Sequence, residues 1–123
     1  MNKENNLRFK HHRLLNGDVL TVVTSLNHYT KTLKVGWALF VFPNNKWKKK
    51  EANLIAKTKM KENPLYIILS ESEDIQTDYI TLRALKVIDY HFVKHKFNTL
   101  ILYLIRSEIY QALIRLQNRA GIV

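Results

Sequence analysis

An α/β domain, with helices packed against a sheet, is the fold this sequence predicts. Three observations carry the prediction. Two apolar runs rich in β-branched and aromatic residues, residues 19–25 and 35–42, lie close together in the chain. After Trp47 the apolar residues switch to helical spacing. Beyond Glu62, strand-like and helix-like segments alternate, giving the order β-β-α-β-α-β-α.

Each element has its own signal. Residues 1–13 read as a polar, basic N-terminal tail, and residues 14–123 as a single α/β domain. Gly17-Asp18 marks a turn into the first strand, and the polar residues 27–34 suit a hairpin to the second. These two strands are expected to pair antiparallel. Ala52, Ile55, Ala56 and Met60, with Leu54 beside them, set the apolar face of a helix over residues 47–62. Asn63-Pro64 stops it. Residues 65–69 form a continuous apolar strand of the kind buried at the centre of a sheet. An acidic loop, residues 70–76, leads to a helix capped by Thr77 or Asp78. Its apolar positions include Ile80, Leu82, Leu85 and Ile88, and it ends at Tyr90 or runs on to His95. Residues 99–105 are a further strand candidate. A last helix is capped by Ser107, reaches Arg119 and stops at Gly121.

The chain has 123 residues, which fits one domain, and 46% are hydrophobic, enough for a core. Its net charge is +10, with twenty Lys and Arg against ten Asp and Glu. A polyanion is the natural partner of such an excess. The first fifty residues hold +8 of it, so the N-terminal half is expected to face that partner. There is no cysteine, which excludes a disulfide framework, a thiolate zinc site and a cysteine nucleophile. No apolar run approaches the ~20 residues of a membrane helix. Residues 1–10 lack an apolar signal core, so secretion is not expected. Lys outnumbers Arg fourteen to six, and Asn, Ile, Leu and Tyr abound. That bias points to an A/T-rich genome such as that of an organelle, a virus or a low-GC bacterium, and some lysines then reflect codon usage.

Catalytic constellations are thin. His91 and His95 share a helix face at metal-ligand spacing, but Lys94 and Lys96 flank them and repel a cation. The acidic stretch 71–74 follows an expected central strand, and its Glu71 and Asp74 with Glu51 sketch a two-metal nuclease. The first strand offers Thr21, Thr24 and Ser25 where such an enzyme needs an Asp. A solvated, helix-capping loop is the simpler reading. Three scattered glycines make no phosphate loop. Binding is therefore expected rather than catalysis, with no cofactor, no metal, no small-molecule substrate and no membrane partner.

The strongest local signal is Lys46-Trp47-Lys48-Lys49-Lys50, four cations around one indole at a strand-to-helix junction. Lysines neutralise phosphates, and Trp47 stacks on an exposed base or packs beside them. Cations at a helix N-terminus oppose the macrodipole, which favours an anion there. A second group is Arg8, Lys10, His11, His12 and Arg13 in the tail. Arg115 and Arg119 share a face of the last helix, near Arg106.

Short matches in order resemble the small-subunit ribosomal protein S-eleven family. Val19-Leu20-Thr21-Val22-Val23-Thr24 leads to Gly36-Trp37-Ala38, then to the basic stretch 46–50, the helix 52–61, the strand 65–69 and Leu82-Arg83-Ala84-Leu85. The resemblance covers about residues 17–97. It implies an RNase-H-like mixed sheet with flanking helices, and a structural ribosomal RNA-binding role in the small ribosomal subunit, of mitochondrial type. Neighbouring small-subunit ribosomal proteins would be partners, and Arg83 would join the RNA contacts. The chain departs from the family at the acidic residues 70–76, which replace a basic Gly/Pro-rich loop. It also lacks the family's basic C-terminal Pro-His-Asn-Gly tail. Two alternatives stay open: a divergent RNase-H-like metal-dependent nuclease, and a viral or plasmid-encoded inhibitor of a host protein, which would be cytoplasmic.

Overall fold

In a computed structural model, residues 7–42, 46–70 and 76–119 are described, the Arg119 side chain excepted. The element order is β1 (Leu7–Arg13), β2 (Val19–Asn27), β3 (Thr32–Phe40), α1 (Lys49–Glu62), β4 (Leu65–Ile68), α2 (Thr77–Lys94) and α3 (Thr99–Arg119). The chain divides into two compact units, Met1–Glu71 and Ser72–Val123.

The first unit is a four-stranded sheet in the order β1-β2-β3-β4, with α1 packed on one face. All three pairings are antiparallel. The α/β class stands, but the mixed sheet does not, because a mixed sheet needs a parallel pair and none is made among the described residues. Residues 7–13 also depart from expectation. They form the edge strand β1 rather than a tail, because Leu7, Phe9 and His11 alternate with Arg8 and Lys10. The period of two is a strand signal that the charge conceals.

Register fixes which side chains share a face. Arg13, Val19 and Phe40 form one transverse row, and His11, Thr21 and Ala38 the next. Phe9, Val23 and Gly36 follow, then Leu7, Ser25, Lys34 and Tyr66. Helix α1 lies on this face. Ala52, Ala56 and Met60, spaced four apart, pack with Val23, Ala38 and Phe40. The helix approaches closely because Gly36 has no side chain: a Cβ there would run into the Ala56 carbonyl oxygen and lie 2.7 Å from the Met60 Cβ. Leu54 faces solvent. On the other sheet face Leu20, Val22, Leu33, Val35 and Ile67 are buried as well.

Two turns are built by short polar side chains. Gly17 takes φ 94° between β1 and β2, and Asp18 follows it only 1% exposed. The Asp18 carboxylate accepts hydrogen bonds from the Asn16 amide side chain (3.0 Å) and the Phe42 backbone N–H (2.8 Å). It thereby ties the end of β3 to the start of β2. In the β2–β3 hairpin, Asn27 Oδ1 accepts from the backbone N–H of Tyr29 and Thr30.

The second unit is a pair of helices. Ile80, Leu82, Leu85 and Ile88 are buried on α2 as their spacing predicts. Gln76, not Thr77 or Asp78, occupies the cap position, and α2 runs on to Lys94. It ends in a Schellman turn. Lys96 adopts φ 57°, Phe97 N–H donates to the Phe92 carbonyl (2.9 Å) and Lys96 N–H to that of Val93 (3.1 Å). The Phe92 and Phe97 rings stack at 4.0 Å across it. Residues 99–105 are helix, not strand, and join the last helix into one 21-residue α3. Asn98 starts it, its Oδ1 accepting from Leu100 N–H at 2.7 Å, so Ser107 lies inside the helix rather than at its cap. Ile101, Leu104, Ile105 and Ala112 are the buried stripe of α3. The run 100–105 hides that stripe because Leu100 and Tyr103, on the exposed side, are hydrophobic too. Arg106 Nε meets Asp89 Oδ1 at 3.1 Å, linking α3 to α2.

Candidate nucleic-acid interface

One end of the first unit gathers cations around an indole. Thr21, on the central strand β2, holds two rings with one hydroxyl. Its oxygen accepts from Trp47 Nε1–H at 3.2 Å and lies 2.9 Å from His11 Nδ1. An indole N–H only donates, which leaves the Thr21 hydroxyl its hydrogen and a second lone pair, so it can donate to His11 Nδ1 or accept from it according to the tautomer. The His11 ring meets Trp47 edge-on, centroids 4.9 Å apart. The Arg13 guanidinium lies 5.2 Å from the centre of the same indole.

His11 is held below its ordinary pKa, first by burial, then by the charges of Lys49 and Arg13. Burial is the largest cause, and the two smaller ones place the ring beside the charges of Lys49 and Arg13. The start of α1 adds further positive charge. Lys48 is the cap residue and makes no side-chain cap, Lys49 and Lys50 open the helix, and Glu51 is the single acid of its first turn. These cations add to the positive end of the macrodipole. Lys46, Lys48, Lys49 and Lys50 are exposed. Among the described residues, neither they nor Lys10 and Arg13 form an ion pair.

Of the residues the sequence singled out, Arg13, Trp47 and Lys49 are thus brought together, with Lys46, Lys48 and Lys50 at the same junction. Trp47 is half-buried and anchored through its N–H, so it packs as the centre of the cluster. Arg8 and Lys10 are exposed on the opposite face of β1, since odd and even residues of a strand point opposite ways. Arg83 belongs to the second unit, on α2, half-buried with its guanidinium 3.4 Å from the Tyr79 hydroxyl. Sequence reasoning did not assign Thr21 or His11 their joint role. The signal was there once β1 is read as a strand, because His11 and Arg13 then share a face and His11 pairs with Thr21.

Elsewhere, His91 and His95 do share a face, ring centroids 4.3 Å apart. No group of three metal-ligating side chains occurs among the described residues. Glu51 is exposed on α1, while Glu71, Glu73 and Asp74 lie outside the described residues. No helix is long and apolar enough to cross a membrane, among the described residues. No protein-family model, curated protein or solved structure matches the chain.

Proposed function

We propose that this chain binds nucleic acid, with RNA as the ligand, through the basic end of its first unit. The observation that carries this is the cluster of Arg13, Lys46, Lys48, Lys49 and Lys50 around Trp47, with no carboxylate paired to any of them among the described residues. Like charges held together at a helix start repel one another and the helix dipole. Phosphates relieve that repulsion, and each phosphate neutralised releases condensed counterions. Lys10 and Arg8 extend the positive surface along the other face of the edge strand.

RNA rather than another polyanion enters through the ribosomal resemblance. Its narrow form is a structural ribosomal RNA-binding protein of a mitochondrial small subunit, partnered by neighbouring small-subunit ribosomal proteins. That form rests on ordered short matches, and the all-antiparallel sheet departs from the mixed sheet it implies. The basic surface therefore supports the broad proposal independently of the narrow one.

The test is competition binding of the full chain to a structured RNA in the presence of heparin. RNA should bind tighter than heparin of equal charge. Replacing Lys48, Lys49 and Lys50 together by Ala should weaken RNA binding by about tenfold or more. Equal affinity for RNA and heparin, with no loss in the triple variant, overturns the proposal.

A further inference from the structure

The other end of the same helix–sheet layer holds a cleft of about 440 Å³. One transverse row of the sheet forms a wall of it: Leu7, Ser25, Lys34 and Tyr66, one residue from each strand. The facing wall is the end of α1, with Lys57, Met60 and Lys61. Glu62 and Pro64 close it. Arg13 stands six positions further along β1 than Leu7, so the cleft lies about 20 Å along the strand from the Trp47 cluster, on the same sheet face.

Its size is that of small-ligand sites, and its chemistry narrows the ligand. Leu7 and Met60 supply apolar surface. Tyr66, 56% exposed on the edge strand, offers a ring, and Lys34 Nζ sits 5.9 Å from the centre of that ring. Among the described residues, Lys34 and Lys61 line it with the single carboxylate of Glu62, a local excess of one positive charge, and Lys57 lines it as well. A fitting ligand brings a flat ring for Tyr66 and a net negative charge for the lysines. A nucleoside monophosphate has both, its phosphate carrying roughly −1.5 to −2 at neutral pH.

We propose that this cleft binds one nucleoside monophosphate unit, the base against Tyr66 and the phosphate beside Lys34 and Lys61. The Ser25 hydroxyl is placed to donate to, or accept from, a base edge. A free nucleotide and an unpaired nucleotide within an RNA chain both present a base beside an anionic phosphate, a monoester in the first and a diester of single charge in the second. In the second form the proposal deepens the RNA-binding function and rests on it.

The experiment is amide-resolved NMR titration of the full chain with AMP, adenosine, inorganic phosphate and a twelve-nucleotide oligoadenylate RNA. AMP should shift Ser25, Lys34 and Tyr66 saturably, with adenosine and phosphate each about tenfold weaker or worse. Tyr66→Leu and Lys34→Ala, both at exposed positions, should each weaken AMP about tenfold, and Lys86→Ala on α2 should leave it unchanged. RNA shifting the same amides more tightly than AMP supports the chain as source, and AMP the tighter of the two supports the free nucleotide. Phosphate binding as tightly as AMP overturns the proposal. So does silence at these residues with both AMP and RNA. If RNA still binds through Lys48–Lys50 while the cleft is silent, the cleft alone is lost. If AMP fills the cleft while RNA binds nowhere, the RNA-binding function alone is lost.

Discussion

The two compact units handle charge differently. The first carries thirteen Lys and Arg against five Asp and Glu, a net of +8, and the second seven against five, a net of +2. In the second, Arg106 meets Asp89 across the two helices, and the unusual backbone at Lys96 serves a turn locked by Phe92 and Phe97. In the first, cations are concentrated where a helix start already carries positive potential, around a tryptophan fixed by Thr21. The second unit sets one cation against an acid across its helix pair, and the first gathers five at one junction with no ion pair among them in the described residues, a surface that we propose an anion completes. Net charge alone does not make that distinction. Its placement relative to acids, rings and helix ends does.

The contrast can be broken most severely at Gly36. Valine there meets the α1 backbone at Ala56 and the Met60 side chain, neither of which can yield like a flexible surface side chain. Overpacking of this kind should destabilise by about 3 kcal/mol or more, a large share of the ~5–15 kcal/mol typical of a whole protein. Thermal unfolding of Gly36→Val should show the loss, and RNA affinity should fall with the fold of the first unit. Binding retained at full strength in a chain whose sheet amides have lost dispersion places the RNA surface elsewhere.

A smaller change sharpens the contrast from the other side. Lys96 pays the steric cost of left-handed backbone, which glycine escapes. Lys96→Gly should stabilise the helical pair by about 1 kcal/mol and leave RNA affinity within about twofold. Denaturant midpoints check the first expectation and RNA titration the second. A marked loss of RNA affinity would make Lys96 part of the interface.

The smallest expected effect is that of pH. His11 titrates below 6.5 in the fold, through burial and the charges of Lys49 and Arg13. The unfolded chain therefore takes up a proton before the folded one does as pH falls. The contribution of His11 is fully present above pH 6.5 and is lost progressively from there down to its lowered value, with no further loss beneath it. Melting temperatures of the native chain and of His11→Gln, followed from pH 8 to 5, should converge as pH falls. A difference that stays constant across the range contradicts the shift.

The strands β2 and β3 were legible as neighbouring runs of apolar and β-branched residues, and helix α1 through its four-residue apolar spacing. So was α2, though Gln76 rather than a Thr or Asp caps it. Strand β1 was not legible, since its alternating residues are basic and read as a solvated tail. The first turns of α3 look like a strand in the sequence, because consecutive Leu and Ile erase any period and Asn98 alone marks the start. At the site, the lysines were visible as a run. Thr21 was not, because a threonine inside an apolar strand has no chemistry until strand pairing sets His11 beside it and the chain beyond β3 brings Trp47 back to it. The cleft at Tyr66 depends on four strands in register, a relation no single segment encodes.

The most direct test of an anion-completed surface on the first unit is the salt dependence of RNA affinity. For the native chain, the logarithm of the association constant should fall linearly with the logarithm of salt concentration. With Lys48, Lys49 and Lys50 all changed to Ala, the slope should shrink by about 2, near 0.7 for each single-strand phosphate contact removed. A slope identical in the two proteins would mean that these lysines meet no phosphate, and the proposed surface would be wrong.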